Sequence, residues 1–233
     1  LQANSSAFKN NAKVSYTVTV ADLIALPDFY STLSANQLYT VVDSAANLSS
    51  GNALIPNASD KTANTDATVA QAEILQTLTR ISYDLNDSPA NLASASTNAL
   101  NGATKVTANA NATFAQAHVI NGASATVANT SYSISDTAAA FTAYQGTGSS
   151  TADTYRNASS VIVTGEITHT QASSLLTEGS SNNASVTLGT VTGNAAQTSA
   201  LTLGTNDSIS ELKVAGNASV PQAKLIAARA TTY

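Results

Sequence analysis

Two short signatures alternate along this chain of 233 residues, and their alternation constrains the fold more than any bulk property. The first is a small-residue run around Ala-Gln-Ala. It reads Asp66-Ala-Thr-Val-Ala-Gln71-Ala, Asn111-Ala-Thr-Phe-Ala-Gln116-Ala and Asn217-Ala-Ser-Val-Pro-Gln222-Ala, with a weaker copy at Gly165-Glu-Ile-Thr-His-Thr-Gln171-Ala. The glutamines are spaced by 45, 55 and 51 residues. The second is Tyr-x-Φ-x-Asp-Ser/Thr-Ala/Pro-Ala, with Φ aliphatic. It occurs as Tyr39-Thr-Val41-Val-Asp43, Tyr83-Asp-Leu85-Asn-Asp87 and Tyr132-Ser-Ile134-Ser-Asp136, with a degenerate copy at Leu203-Gly-Thr-Asn-Asp207. Self-similarity at a period of this size is the mark of a repeat architecture.

Each signature has a physical reading. Tyr and Φ lie two apart, so both face one side of a strand, while Thr40, Asp84 and Ser133 face the other. Stacked copies of Tyr39, Tyr83 and Tyr132 would make an internal ladder. The Asp ends the strand, and its carboxylate is expected to accept from N–H groups two or three residues on, capping a short helix. Pro89 fits the first turn of that helix, where no N–H partner is needed. Leu48, Leu92 and Phe141 follow their Asp by five residues and begin the inward helical face. The Ala-Gln-Ala run reads as a second short helix, with Thr68, Thr113 and Ser219 as N-caps. Strands are expected before it at Lys105–Ala108, Ser160–Thr164 and Leu212–Ala215.

The expected architecture is therefore an α/β or β-rich solenoid. Strand–short helix–strand–short helix units of 44–55 residues stack into a parallel sheet. Segments 144–158 and 178–200, rich in Gly, Ser, Thr and Asn, read as loops or edge decorations. Residues 1–36 read as a modified N-terminal repeat or capping element: Tyr16-Thr-Val18-Thr-Val20 alternates like a strand, and Pro27 interrupts a helix over Ala21–Leu26. Residues 37–233 read as the solenoid, and Tyr233 sits where the next Tyr-x-Φ-x-Asp strand begins. On this reading the chain stops in mid-repeat. It is a piece of a longer array, or its open end is completed by another subunit. Tyr16, Val18 and Tyr233 are the assembly candidates, because uncapped strand edges pair and a head-to-tail contact that does not close makes a filament.

Composition narrows the function classes. Ala, Ser, Thr and Asn supply 128 residues, and the absence of Cys excludes a disulfide scaffold, a thiolate metal site and a cysteine nucleophile. Nine Lys+Arg against fourteen Asp+Glu argue against nucleic-acid binding. No apolar run is long enough to span a membrane, and Leu1-Gln2-Ala3-Asn4 has neither the basic start nor the apolar stretch of a signal peptide. Ten Asn-x-Ser/Thr sequons are about what this composition gives by chance.

The Asp-Ser/Thr-Ala-Ala-Asn-Leu junction, alternating with Ala-Thr-Val-Ala-Gln-Ala, resembles repeats of large secreted bacterial surface proteins of the adhesin-like and surface-layer-like kinds. The match is close over residues 37–141 and looser over 160–233. The resemblance implies an extracellular or cell-surface location. The glycine- and aspartate-rich calcium-binding nonapeptide found in many such proteins is absent.

These residues offer little to other kinds of chemistry. His118 and His169 occupy different repeat positions, so nothing converges them into a metal or catalytic pair. Asp43, Asp87 and Asp136 would supply one carboxylate per unit, too few oxygens for calcium, and the helix-cap reading takes precedence. No Gly-x-Ser-x-Gly elbow and no phosphate-binding glycine loop occurs. The expectation is a non-enzymatic structural protein that binds no cofactor. It self-assembles head to tail into a filament or surface lattice, with copies of itself as partners and a cell-surface glycan as a second one. An adhesive stalk or binding module is the alternative reading, and a polysaccharide-acting enzyme the third.

Overall fold

The computed structural model describes residues 14–32, 37–51, 53–124, 127, 129–144, 154–155, 157–180 and 184–232. The protein is α/β, with parallel strands and short helices alternating along the chain. It forms two compact units. One comprises residues 1–87, 95–106 and 126–129, the other residues 88–94, 107–125 and 130–233.

In the first unit, β1 (Val14–Val18), β2 (Gln37–Asp43), β3 (Asp60–Ala63) and β4 (Ile81–Ser82) form a four-stranded sheet in chain order. All three pairings are parallel, with Tyr16 opposite Tyr39, Val18 opposite Val41, Val41 opposite Lys61 and Lys61 opposite Ile81. The connections carry α1 (Val20–Ala25), α2 (Pro27–Ser31), α3 (Ala45–Leu48), a 3-10 turn at Ile55–Asn57 and α4 (Val69–Leu75). Pro27 breaks the helix as its sequence demands, but it then opens α2 at the first turn, where its missing N–H costs nothing. β5 (Asp84–Asp87) bridges Ala67 in parallel through Leu85, and α6 (Thr97–Gly102) packs on α4.

The second unit begins with α5 (Pro89–Ser94) and takes in β6 (Lys105–Ala112) from Thr107. It continues through α7 (Phe114–Ala123), β7 (Thr130–Thr137), α8 (Ala138–Tyr144), β8 (Ser160–Thr168) and α9 (His169–Ser180). Then come β9 (Ser185–Asn194), α10 (Ala195–Ala200), β10 (Ser208–Ala215), α11 (Val220–Ala227) and β11 (Ala230–Thr232). Its strands lie in the order β11-β10-β9-β8-β7-β6, so each pairs with its neighbours in sequence. The registers described within β7 to β11 are all parallel.

Period-2 burial explains the strands. Val161 and Val163 of β8, Val186, Leu188 and Val191 of β9, and Ile209 and Leu212 of β10 point into the core. β8 bulges between Val163 and Glu166, with Gly165 at φ +84°; Ile167 keeps the parity of Val163 across it, while the buried phase shifts by one along β9, from Leu188 to Val191, and along β10, from Ile209 to Leu212. A Cβ on Gly189 would lie 2.8 Å from the Gly165 carbonyl oxygen, so glycine is required for β9 to follow the bulge.

Segment 178–200, expected to be loop, contains all of β9 and α10. Its Ser-Val-Thr-Leu-Gly-Thr-Val-Thr run has the alternation of a strand, with β-favouring threonine on the polar positions. The abundance of Ser, Thr and Gly concealed it. The loop expected at 144–158 falls mostly outside the described residues.

Small residues bring helix and strand together. At the fourth helical position, Ala72, Ala117 and Ala172 have no exposed surface. Val41 and Ile134 likewise have no exposed surface, and Leu85 is 1% exposed.

Candidate functional site

The repeated feature of this molecule is the junction between one coil (a strand with its following helix) and the next. It begins with a local cap. Thr68 caps α4 and Thr113 caps α7, each accepting from the N–H three residues on, while Gln71 and Gln116 return their side-chain oxygens to the cap N–H at 2.9 Å. Gln222 does the same to Ser219 at the start of α11. The glutamine of the repeat is thus the reciprocal half of a capping box. The same box forms at Thr19 with Asp22, Thr168 with Gln171 and Asn194 with Gln197.

The aspartates act differently from their sequence-based reading. Asp43 does not accept from N–H groups two or three residues on. The N-cap is the next residue: Ser44 accepts from the Asn47 N–H, and Thr137 likewise accepts from Ala140. Asp43 instead takes the Ser44 N–H at 2.7 Å on one oxygen and reaches back with the other to the Val20 N–H at 2.9 Å. Val20 is the first residue of α1, one coil earlier. Asp87 accepts the first N–H of α4 from Val69 at 2.9 Å, and Asp136 accepts that of α7 from Phe114 at 3.0 Å. At α3 the acceptor is the Thr65 hydroxyl, 3.0 Å from the Ala45 nitrogen. Where the first residue is Pro89, no acceptor is needed. Each carboxylate therefore ties a helix start to the strand of the following coil. Burial raises the Asp43 pKa, but hydrogen bonds from the Asn47 side chain and the Val20 and Ser44 N–H groups outweigh it and hold the carboxyl below its usual range. Asp207, the degenerate copy, departs from this pattern: it accepts from Val186 in β9 and from Gly204.

The tyrosines supply a second tie. The hydroxyls of Tyr39, Tyr83 and Tyr132 each donate at 2.7 Å to a carbonyl in the connection that follows, at Leu54, Ala99 and Thr154 respectively. Tyr155 does so to Leu175 at 2.6 Å. Burial pushes the Tyr83 phenol up to about 12, with Glu73 adding to the shift, and raises Tyr39 and Tyr155 as well. The three repeat tyrosines are internal, as expected, but do not follow one another from strand to strand. The residues just before β3 and β8, Ser59 and Ser159, donate to the carbonyls of Tyr39 and Tyr132 respectively, each through both N–H and hydroxyl. The Tyr39 ring meets Tyr30 instead, with centroids 5.2 Å apart.

Sequence reasoning missed Lys61. It occupies the aliphatic row between Val41 and Ile81, is 1% exposed, and donates at 2.9 Å to the carbonyls of Ala58 and Thr79. It serves its connection as a tyrosine serves the others. Burial lowers its pKa, with Asp60 opposing and Arg80 reinforcing the shift.

Of the assembly candidates, Tyr16 is half-buried and stands edge-on to Phe29, Val18 is buried against β2, and Tyr233 lies outside the described residues. His118 meets the Thr154 hydroxyl at 3.0 Å, whereas His169 sits at the start of α9 in a shallow depression with Thr170, Ser173 and Glu178. Among the described residues no three His, Asp or Glu side chains gather as metal ligands, and no helix is long and apolar enough to cross a membrane.

Comparison with protein-family models, with curated proteins and with solved structures gave no match. The junction chemistry is hydrogen bonding between neutral and anionic groups that are already paired, which suits cohesion between coils.

Proposed function

We propose that this chain is an extracellular structural protein whose coils stack as a solenoid and which self-assembles head to tail into a filament or surface lattice. The observation that carries this reading is the coil junction: helix starts obtain their last acceptor, and their cover, from the following coil. A coil built this way is complementary to another coil of its own kind, so end-to-end association repeats a contact the chain already makes. Strands at the ends of the two sheets, β1 and β11, have a partner on one side only among the described residues, which favours parallel strand addition. The low charge and the many small hydroxylated side chains suit close packing between identical subunits.

The test is electron microscopy and light scattering of the purified chain over a concentration series. Concentration-dependent fibres or sheets are expected. Thr17 is exposed on β1, so Thr17→Lys should suppress them without lowering the melting temperature. Monodisperse monomer at the highest concentration sinks the proposal.

A further inference from the structure

A surface cleft in the first unit is lined by Gln76, Arg80, Asn98 and Asn101, with Leu78 and Ile81 as its apolar wall. Its volume is about 540 Å³, enough for one or two sugar rings. Arg80 stands out in two ways. Its φ is +54°, the one left-handed non-glycine residue among those described, in a conformation glycine adopts without strain. Its backbone role, accepting the Lys61 N–H at 2.9 Å, needs only a carbonyl and would be met as well by glycine. An arginine therefore stands where the backbone favours glycine, and such outliers cluster at ligand sites. The residue is exposed, and among the described residues no carboxylate forms an ion pair with it. Gly102 also lines the cleft, and a Cβ there would lie 2.7 Å from the buried Tyr83 hydroxyl, so only glycine fits against that tyrosine.

We propose that this cleft binds a carboxylate-bearing saccharide, a uronic acid within a glycan. The Arg80 guanidinium takes the carboxylate in a two-pronged contact. The Asn98 side-chain amide, which both donates and accepts, and the Gln76 side-chain oxygen, whose Nε2 already donates to the Glu73 carbonyl at 3.3 Å, meet ring hydroxyls. Leu78 and Ile81 face the C–H side of the ring. The site lies apart from the coil junctions and stands or falls independently of self-assembly.

The test is calorimetric titration of the full chain with digalacturonate and, as the neutral control, digalactose. Saturable binding of the acid is expected, with digalactose at least tenfold weaker. Arg80→Gly relieves the backbone strain, so its melting temperature should hold or rise while digalacturonate affinity falls at least tenfold. Arg80→Lys, which keeps the charge without the planar fork, should retain part of the affinity. Failure of the wild-type chain to bind digalacturonate, equal affinity for digalactose, or undiminished binding by Arg80→Gly at an intact melting temperature each overturns the assignment.

Discussion

Helices α7 and α11 carry the same sequence device and end in different surroundings. Both open with a hydroxyl residue whose N–H receives a glutamine side chain three residues on, Gln116 in one and Gln222 in the other, each at 2.9 Å. Beyond that the two diverge. In α7 the first, fourth and seventh helical residues, Phe114, Ala117 and Ile120, are all buried, and Asp136 receives the Phe114 N–H. In α11 the equivalent Val220 is 71% exposed and Ala223 is exposed, leaving Ile226 as its buried residue. The box is thus a local product of sequence, whereas burial of the helix start and its last acceptor are supplied by the following coil.

Substitutions at matched positions test this division, starting where the difference should be greatest. Phe114→Ala should destabilise the chain by about 3–5 kcal/mol, while Val220→Ala should stay within about 0.5 kcal/mol in urea unfolding. Equal losses would show that α11 is covered too. Ala117→Leu should cost about 1–3 kcal/mol by overpacking, and Ala223→Leu should be neutral. Asp136→Ala strands the Phe114 N–H and should cost about 1–2 kcal/mol, with faster amide exchange at Phe114 and none of that change at Val220. The smallest effect is expected from Gln116→Ala and Gln222→Ala. Each should lose about 0.5–1 kcal/mol of local helix stability, by equal amounts, because the box needs no neighbour.

The pH dependence separates the same two kinds of contact. The folded-state pKa of Asp43 is depressed, so its link to Val20 contributes fully above the ordinary carboxylate value of 3.8 and is lost as pH falls through the lower folded value. Exchange at Val20 should rise over that acid range. Tyr83 works in the opposite sense. Its folded pKa of about 12 exceeds the unfolded value of 10.0, so its contribution is complete below 10 and declines as pH rises toward 12. Tyr83→Phe should flatten that alkaline decline in a melting series.

The strands with Tyr-x-Φ-x-Asp and the capped Ala-Gln-Ala helices were legible in the sequence because their information is local: a period of two, or a cap and its partner three residues apart. The true donors to the aspartates were not legible. Val20 and Asp43 lie 23 residues apart, Val69 and Asp87 18, Phe114 and Asp136 22, and no short pattern marks such a pair. Strand β9 was hidden because threonine and serine occupy its polar positions in a chain where those residues are everywhere. Lys61 was hidden for the opposite reason. A lone charge in a strand reads as solvated, and only the packed connection shows the two carbonyls that hold it. The cleft around Arg80 had no sequence signal at all, since its strain is a backbone property.

The neighbour-by-neighbour strand order has a consequence for how such a chain grows and folds. Val161 pairs with Val186, and Ile209 with Ala230, separations of 25 and 21 residues. Closing each loop of that size carries nearly the same entropic penalty wherever it falls, because the penalty depends only on the logarithm of loop length. A nascent chain can therefore zip up behind its growing end without waiting for distant sequence. Duplicating a pair of coils would lengthen the molecule and leave the closure problem of every other coil unchanged.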